Sequence, residues 1–347
     1  MKRQAVLWAT SLAVVLTFRP ALAQNEIPTT SGFSGYVIAS PGVFRVGTSL
    51  LVTGAPLLDD VGNAQIASIF DPPAARYAPA FAVPGEVNYT FAGTRTQVFF
   101  GNRLEDILRL DVPLGFRARQ ELPDESVLAV SVLLTPLELK YWSDPYVEGE
   151  DRVGTGLSFP GARLRWGRIL KTGLELTATV RRYRLDAENS GDWLIAQGRL
   201  DPNQQPLLDP DGNIFRLQAL YRIDVNGHRF EPAVHYVNDA HNGAAVANKG
   251  YTLLLTYIYP SSKVVLNANV VYGARKGVET HPVYSEVLDK DRWGVALTAA
   301  FPVKRYTSST LSIIVIGEVF RENANIDFFD TSIRALMVGI VWRHNRP

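Results

Sequence analysis

The chain has 347 residues, 46% hydrophobic and 20% charged, with no cysteine and a formal net charge of +1. Apolar content at this level excludes a disordered chain. The absent cysteine excludes disulfide scaffolds and thiolate chemistry, and the near-neutral balance argues against nucleic acid as a partner.

Residues 1–23 read as a secretory signal. Lys2 and Arg3 precede an apolar stretch from Ala5 to Phe18, and Ala21-Leu22-Ala23 supplies the small-x-small cleavage pattern, with Gln24 as the expected mature start. A retained anchor is the weaker reading, because a spanning helix needs about 20 residues. The expected division is a signal at 1–23, a short periplasmic segment at 24–32, a barrel at 33–342 and a tail at 343–347.

Beyond Gln24 the dominant signal is alternation. Leu108, Leu110, Val112, Leu114 and Phe116 are separated by Arg109, Asp111, Pro113 and Gly115, with Arg117 following. Successive strand residues point to opposite faces, so one face is apolar and the other polar. The pattern recurs at 174–181, 229–236 and 264–272. Strands are expected at 33–48, 80–91, 95–104, 107–120, 126–141, 161–170 and 173–186. Seven more follow at 213–224, 228–238, 250–259, 263–274, 291–303, 310–321 and 332–342.

These segments approach the ~9–11 residues of a tilted strand that crosses a bilayer. Aromatic residues such as Tyr89, Trp142, Tyr257, Trp293 and Trp342 sit toward their ends, as interfacial girdles require. Short links at 92–94, 171–172, 225–227 and 260–262 alternate with long ones at 49–79, 142–160, 187–212 and 275–290. Short periplasmic turns and long outer loops define a transmembrane up-and-down antiparallel β-barrel, here of about 14 strands, with 12–16 as the range. The even count puts both ends on the periplasmic side.

Four groups of residues carry a resemblance: Ser31-Gly32-Phe33-Ser34-Gly35; Tyr89-Thr90-Phe91 with Gln97 to Gly101; Tyr141-Trp142-Ser143-Asp144-Pro145-Tyr146 with Arg152 and Thr155; and Asn325 to Asp330. Together, in this order, they resemble a family of Gram-negative outer-membrane barrel proteins classed as a domain of unknown function. The resemblance implies an outer-membrane location and assigns no activity. A barrel in that membrane is expected to meet outer-membrane lipid and lipopolysaccharide and, during insertion, the barrel assembly machinery, for which Trp342 is the expected final aromatic although Arg343 to Pro347 follow it.

The register places Arg109, Arg117, Arg119, Arg163, Arg165, Arg181, Arg216, Arg222 and Arg229 in the lumen, against Glu86, Asp111, Glu175 and Glu231. Such an excess favours a small anionic solute, or else an Arg–carboxylate network that braces the wall. On the first reading, Arg163, Arg165 and Arg181 form a continuous positive stripe. The loop after the fifth strand, with Asp144, Pro145, Tyr146 and Arg152, reads either as a divalent-cation site or as a loop folded over the mouth and held by Asp–Arg pairing. The Ala-, Pro- and Gly-rich segment 49–79 is expected to fold inward.

The leading role is that of a narrow channel or binding protein for a small polar or anionic solute, and two enzyme readings stand beside it. Asp239-Ala240-His241 is similar to part of the active site of omptin-type barrel proteases, with Asp59-Asp60 as a poorly spaced second carboxylate pair. A lipase would need a serine near a base, and none is close in sequence to His228, His235 or His241. A closed structural or adhesive barrel is the third class. No glycine-rich phosphate loop, nucleotide fingerprint or histidine metal cluster appears, so no cofactor or metal is expected.

Overall fold

The structure, a computed structural model, describes residues 27–54, 57–102, 114–135 and 139–344. The signal segment, Arg109, Asp111 and the last three residues lie outside the described residues.

Fourteen strands follow the chain: β1 (Gly32–Gly47), β2 (Arg76–Ala82 and Gly85–Phe91), β3 (Thr96–Asn102), β4 (Leu114–Glu121), β5 (Val127–Leu134), β6 (Gly161–Gly167) and β7 (Leu174–Leu185). They continue as β8 (Gly212–Tyr221 and Ile223–Val225), β9 (His228–His241), β10 (Asn248–Pro260), β11 (Val265–Gly277), β12 (Lys290–Arg305), β13 (Ser309–Ala324) and β14 (Thr331–His344). Each pairs antiparallel with the next, and β14 returns to β1 in a register running from Gly35↔His344 to Gly47↔Ser332. Closure leaves no sheet edge for lipid to meet. Among the described residues no helix is long and apolar enough to cross a membrane; the strands do so.

Alternation is realised as expected. Leu164, Leu176, Val180, Val234, Leu253, Leu297, Val338 and Ile340 are exposed on the outer wall, whereas Arg163, Arg165, Glu175, Arg181 and Glu231 are buried on the inner one. Outward aromatics form two belts. Tyr77, Tyr251, Tyr272 and Trp293 lie near the outer ends of their strands, and Phe33, Phe91, Trp166 and Trp342 near the periplasmic ends.

Several elements depart from the sequence reading at their ends. β2 begins at Arg76, not residue 80, and is interrupted at Val83-Pro84; the Ile38 amide donates to the Pro84 carbonyl at 2.9 Å and carries β1 past the break. The strand expected at 126–141 ends its barrel pairing at Leu134. Leu139–Trp142 instead joins Gly154–Ser158 and Leu51–Thr53 in a small sheet above the wall, tied to the top of β7 by Arg184↔Ser158. β14 runs through His344, two residues past the expected end at Trp342.

The lumen is two-sided. Ile38, Ile314, Ala300, Val341 and Val265 form one apolar cluster on β1 and β11–β14, and Phe44, Val46, Ala78, Ala80 and Met337 form another above it. The opposite wall, β4 to β9, carries the arginines expected from the sequence that lie among the described residues.

Candidate functional site: the lumen and its roof

All the sequence-predicted arginines that fall among the described residues line the inner wall, and most are engaged with neighbours. Arg117 pairs with Glu86 at 2.9 Å, Arg165 with Glu175 at 3.6 Å, Arg222 with Glu231 at 2.8 Å and Arg229 with Asp224 at 2.7 Å. Arg119 donates to Gln97 and Arg163 to Thr179. Arg181 stacks 3.7 Å from the Phe159 ring centroid and donates to that residue's carbonyl. It stands opposite Gly161, one inward-facing position above Arg163. The tally of four lumen carboxylates is corrected: Asp224, Asp239, Glu318 and Glu322 also stand there or at its rim.

The remaining arginine, Arg216, belongs to a group that the sequence reading did not assemble. Arg216, Arg275 and Arg292 line two cavities of about 250 Å³ each. Register sets the group. Arg275 lies opposite Lys290 across β11 and β12, Arg292 opposite Glu322 across β12 and β13, and Asp239 opposite Asn248 across β9 and β10. Arg275 forms an ion pair with Asp239 and donates to Asn248 at 3.1 Å, both from Nη1. Glu322 accepts from Lys290 at 3.0 Å and from Arg292. Four cations thus face two carboxylates at one level of the lumen.

The upper cavity lies under the loops, walled by Tyr141, Tyr183, Tyr146 and Phe329; the lower runs down the barrel past Leu254, Val271, Phe320 and Glu318.

The roof is a core of its own. Ile69, Tyr146, Leu194, Leu200, Leu208, Leu288, Ile326, Phe328 and Phe329 come from five different outer loops and are nearly inaccessible. The Trp-Ser-Asp-Pro-Tyr loop is its centre. Asp144 Oδ1 accepts from the Tyr146 and Gly191 amides and Oδ2 from the Trp193 amide. Burial raises its carboxyl above the usual range, partly offset by these bonds. Arg152 donates to the carbonyls of Ser49, Asn63 and Pro145 and lies 4.5 Å from the Trp142 ring centroid; burial brings its guanidinium down to about 10. The expected Asp–Arg pairing is therefore replaced: each side chain binds backbone, and together they fasten loop to loop. Among the described residues no three carboxylate or histidine groups gather as metal ligands do.

The segment 49–79 does fold inward: Val61 and Leu57 pack on Phe44, Ala80 and Met337 of the lumen wall. Asp239 and His241 share a lumen-facing side, but Asp239 is held by Arg275 and His241 Nδ1 by the Pro210 carbonyl. Asp59 and Asp60 are exposed in the first loop.

The family described as "Protein of unknown function (DUF2860)" matches residues 32–343, and the chain belongs to it. No curated protein sequence matches the chain. Among solved structures, the barrel is similar to the CymD monoaromatic hydrocarbon channel (8% identity, 96% of this chain and 94% of that one, TM-score 0.44). It is similar to OmpT of Vibrio cholerae lacking loop L8 (10% identity, 90% and 99%, TM-score 0.41). It is also similar to an anion-selective porin from Comamonas acidovorans (8% identity, 90% and 100%, TM-score 0.37).

Proposed function

We propose that this member of the DUF2860 family is exported by its N-terminal signal to the outer membrane and there binds and passes small solutes that carry an anionic group. The observation that carries the reading is the sharing of Arg216, Arg275 and Arg292 by two consecutive lumen cavities. A solute moving between them crosses a level with more cationic than anionic side chains, and fixed guanidinium groups at a constriction favour anions. The lower arginines, from Arg117 to Arg229, brace the wall through their ion pairs and side-chain bonds. The roof of packed loops gates the entrance. Lipopolysaccharide surrounds the outer rim, and the barrel assembly machinery receives the C-terminal strand.

Planar-bilayer recording of the purified barrel tests this. Reversal potentials under a salt gradient are expected to favour chloride over potassium, and Arg275→Gln with Arg292→Gln to weaken that preference. A cation-selective wild-type pore, or no conductance even after removal of the outer loops, overturns the reading.

A further inference from the structure

The lower cavity holds an acidic side chain that an anion channel does not need. Glu318, on β13, faces this cavity beside His235, Leu254, Val271 and Phe320. Every other lumen carboxylate described is in an ion pair: Glu86 with Arg117, Glu175 with Arg165, Glu231 with Arg222, Asp239 with Arg275 and Glu322 with Lys290 and Arg292. Glu318 has no such partner among the described residues. It lies opposite Ala296, four residues below Glu322 on the same strand, hence about 13 Å down the wall at ~3.3 Å per residue.

At the top of the same cavity the cations are incompletely used. Arg275 is 6% exposed and among the described residues donates through Nη1 alone, while Arg292 donates to Glu322 from Nη2. The Nε of each is buried with no hydrogen-bond partner among the described residues. A buried ionic group is costly unless it is paired, and here the uncommitted cation edges and the uncommitted carboxylate sit at opposite ends of one cavity. Between them the lining is mostly apolar.

From this polarity we infer that the solute is zwitterionic: a small molecule whose anionic group lies against Arg275 and Arg292, whose cationic group lies against Glu318, and whose short aliphatic body crosses the apolar middle. The inference rests on the channel reading above and narrows its substrate class. A simple anion satisfies the upper end and leaves Glu318 repelling it. A simple cation meets the arginine level first.

The test compares three probes of similar size, γ-aminobutyrate, butyrate and butylamine, on the full-length barrel reconstituted in liposomes and in planar bilayers. γ-Aminobutyrate is expected to enter liposomes faster than butyrate, and to block the chloride current at about tenfold lower concentration, the size of one charge-assisted contact. Glu318→Gln should remove that advantage and, with the repulsion gone, raise the preference for chloride over potassium. Arg275→Gln should weaken both γ-aminobutyrate and butyrate. Each variant is first shown to be folded by its mobility shift on heating. If butyrate equals or exceeds γ-aminobutyrate in the wild type, the zwitterion inference fails while the anion channel stands. If Glu318→Gln keeps the advantage, the inference fails in the same way. A barrel that conducts nothing and binds none of the probes removes both.

Discussion

Tyr146 and His281 meet 3.1 Å apart at the centre of the roof, though 135 residues separate them in the chain. His281 Nδ1 accepts from the Val283 amide, so the neutral ring carries its proton on Nε2 and donates it to the tyrosine hydroxyl. Phe328 stacks on Tyr146 at 5.5 Å, and Tyr284 and Phe329 close on the imidazole. The first prediction follows from this contact. Burial pulls His281 down to about 3, below the ordinary value of about 6.5. The open or unfolded roof therefore takes up the proton first, and the stability that neutral His281 gives is lost as pH falls through this window. The other titratable groups packed on it, Tyr146 and Tyr284, stay protonated there, since burial raises both. Asp144 has the opposite sign, because burial raises its carboxyl. Protease access to the loops should increase from pH 7 to pH 4 in the wild type, and His281→Gln should flatten that rise. An unchanged profile in the variant would assign the effect elsewhere.

Asp144→Asn is the second. Three backbone amides converge on this carboxylate. An asparagine keeps one acceptor oxygen and turns an NH₂ group toward an amide that also donates. The lost bond and the unsatisfied donor should cost about 1–3 kcal/mol of roof stability. The expected readout is faster proteolysis after the Trp-Ser-Asp-Pro-Tyr loop and a larger single-channel conductance, with the heat-shift temperature of the barrel nearly unchanged. A fall in barrel stability equal to that of the roof would show that the two do not open separately.

The third tests the register. Ala178 lies at mid-strand on the outer wall, between the exposed Leu164 and Leu217, and Thr179 beside it is buried in the lumen. Ala178→Arg should destabilise the barrel by about 2–4 kcal/mol, the penalty for a charge in the lipid midplane. Thr177→Arg, on the lumen side of the same strand, should cost far less. Urea refolding into lipid vesicles measures both. Equal costs would mean that the faces are exchanged.

The wall was legible in the sequence and the site was not, and the reason is local. Alternation marks where a strand passes through lipid, because only there must every second residue be apolar. The barrel strands continue above the lipid, where outward positions are Ala240, Lys276, Asp291 and Asn323 and the pattern fades. Expected strand ends at 238, 274, 291 and 321 therefore stop one residue short of Asp239, Arg275, Lys290 and Glu322, the group that surrounds the two cavities. Arg292 lay inside its expected strand, but its partners did not, and only the closed register brings them together. The roof was hidden for a related reason. Ile69, Leu194, Leu288 and Phe328 belong to separate loops with no shared periodicity, so their common core exists only in three dimensions. Pro79 hid the start of β2, since proline lacks the amide a ladder needs; it points outward beside Tyr77 and Phe81.

The last prediction concerns the outer rim. Arg45 and Arg334 are direct partners across the β1–β14 seam. They share the outward side of their strands with Val43 and Leu336, both exposed. Like charges placed opposite each other in an antiparallel pair are destabilising, and among the described residues neither arginine has a carboxylate within ion-pair distance. The Tyr77 ring, 5.8 Å from the Arg45 guanidinium, marks the depth as that of the aromatic belt. Lipid headgroups lie at this level, and anionic ones attract basic side chains. Phosphates of the outer-leaflet glycolipid would neutralise the pair. The barrel should therefore resist heat better in nanodiscs containing lipopolysaccharide than in neutral phosphatidylcholine. In Arg45→Gln/Arg334→Gln that difference should shrink, and the variant in neutral lipid should match or exceed the wild type, because the repulsion is gone. Free phosphate added to neutral nanodiscs separates the two sources of anion: full recovery with phosphate alone would show charge neutralisation without lipid recognition. If the double variant gains as much from lipopolysaccharide as the wild type does, the seam arginines are not its contact.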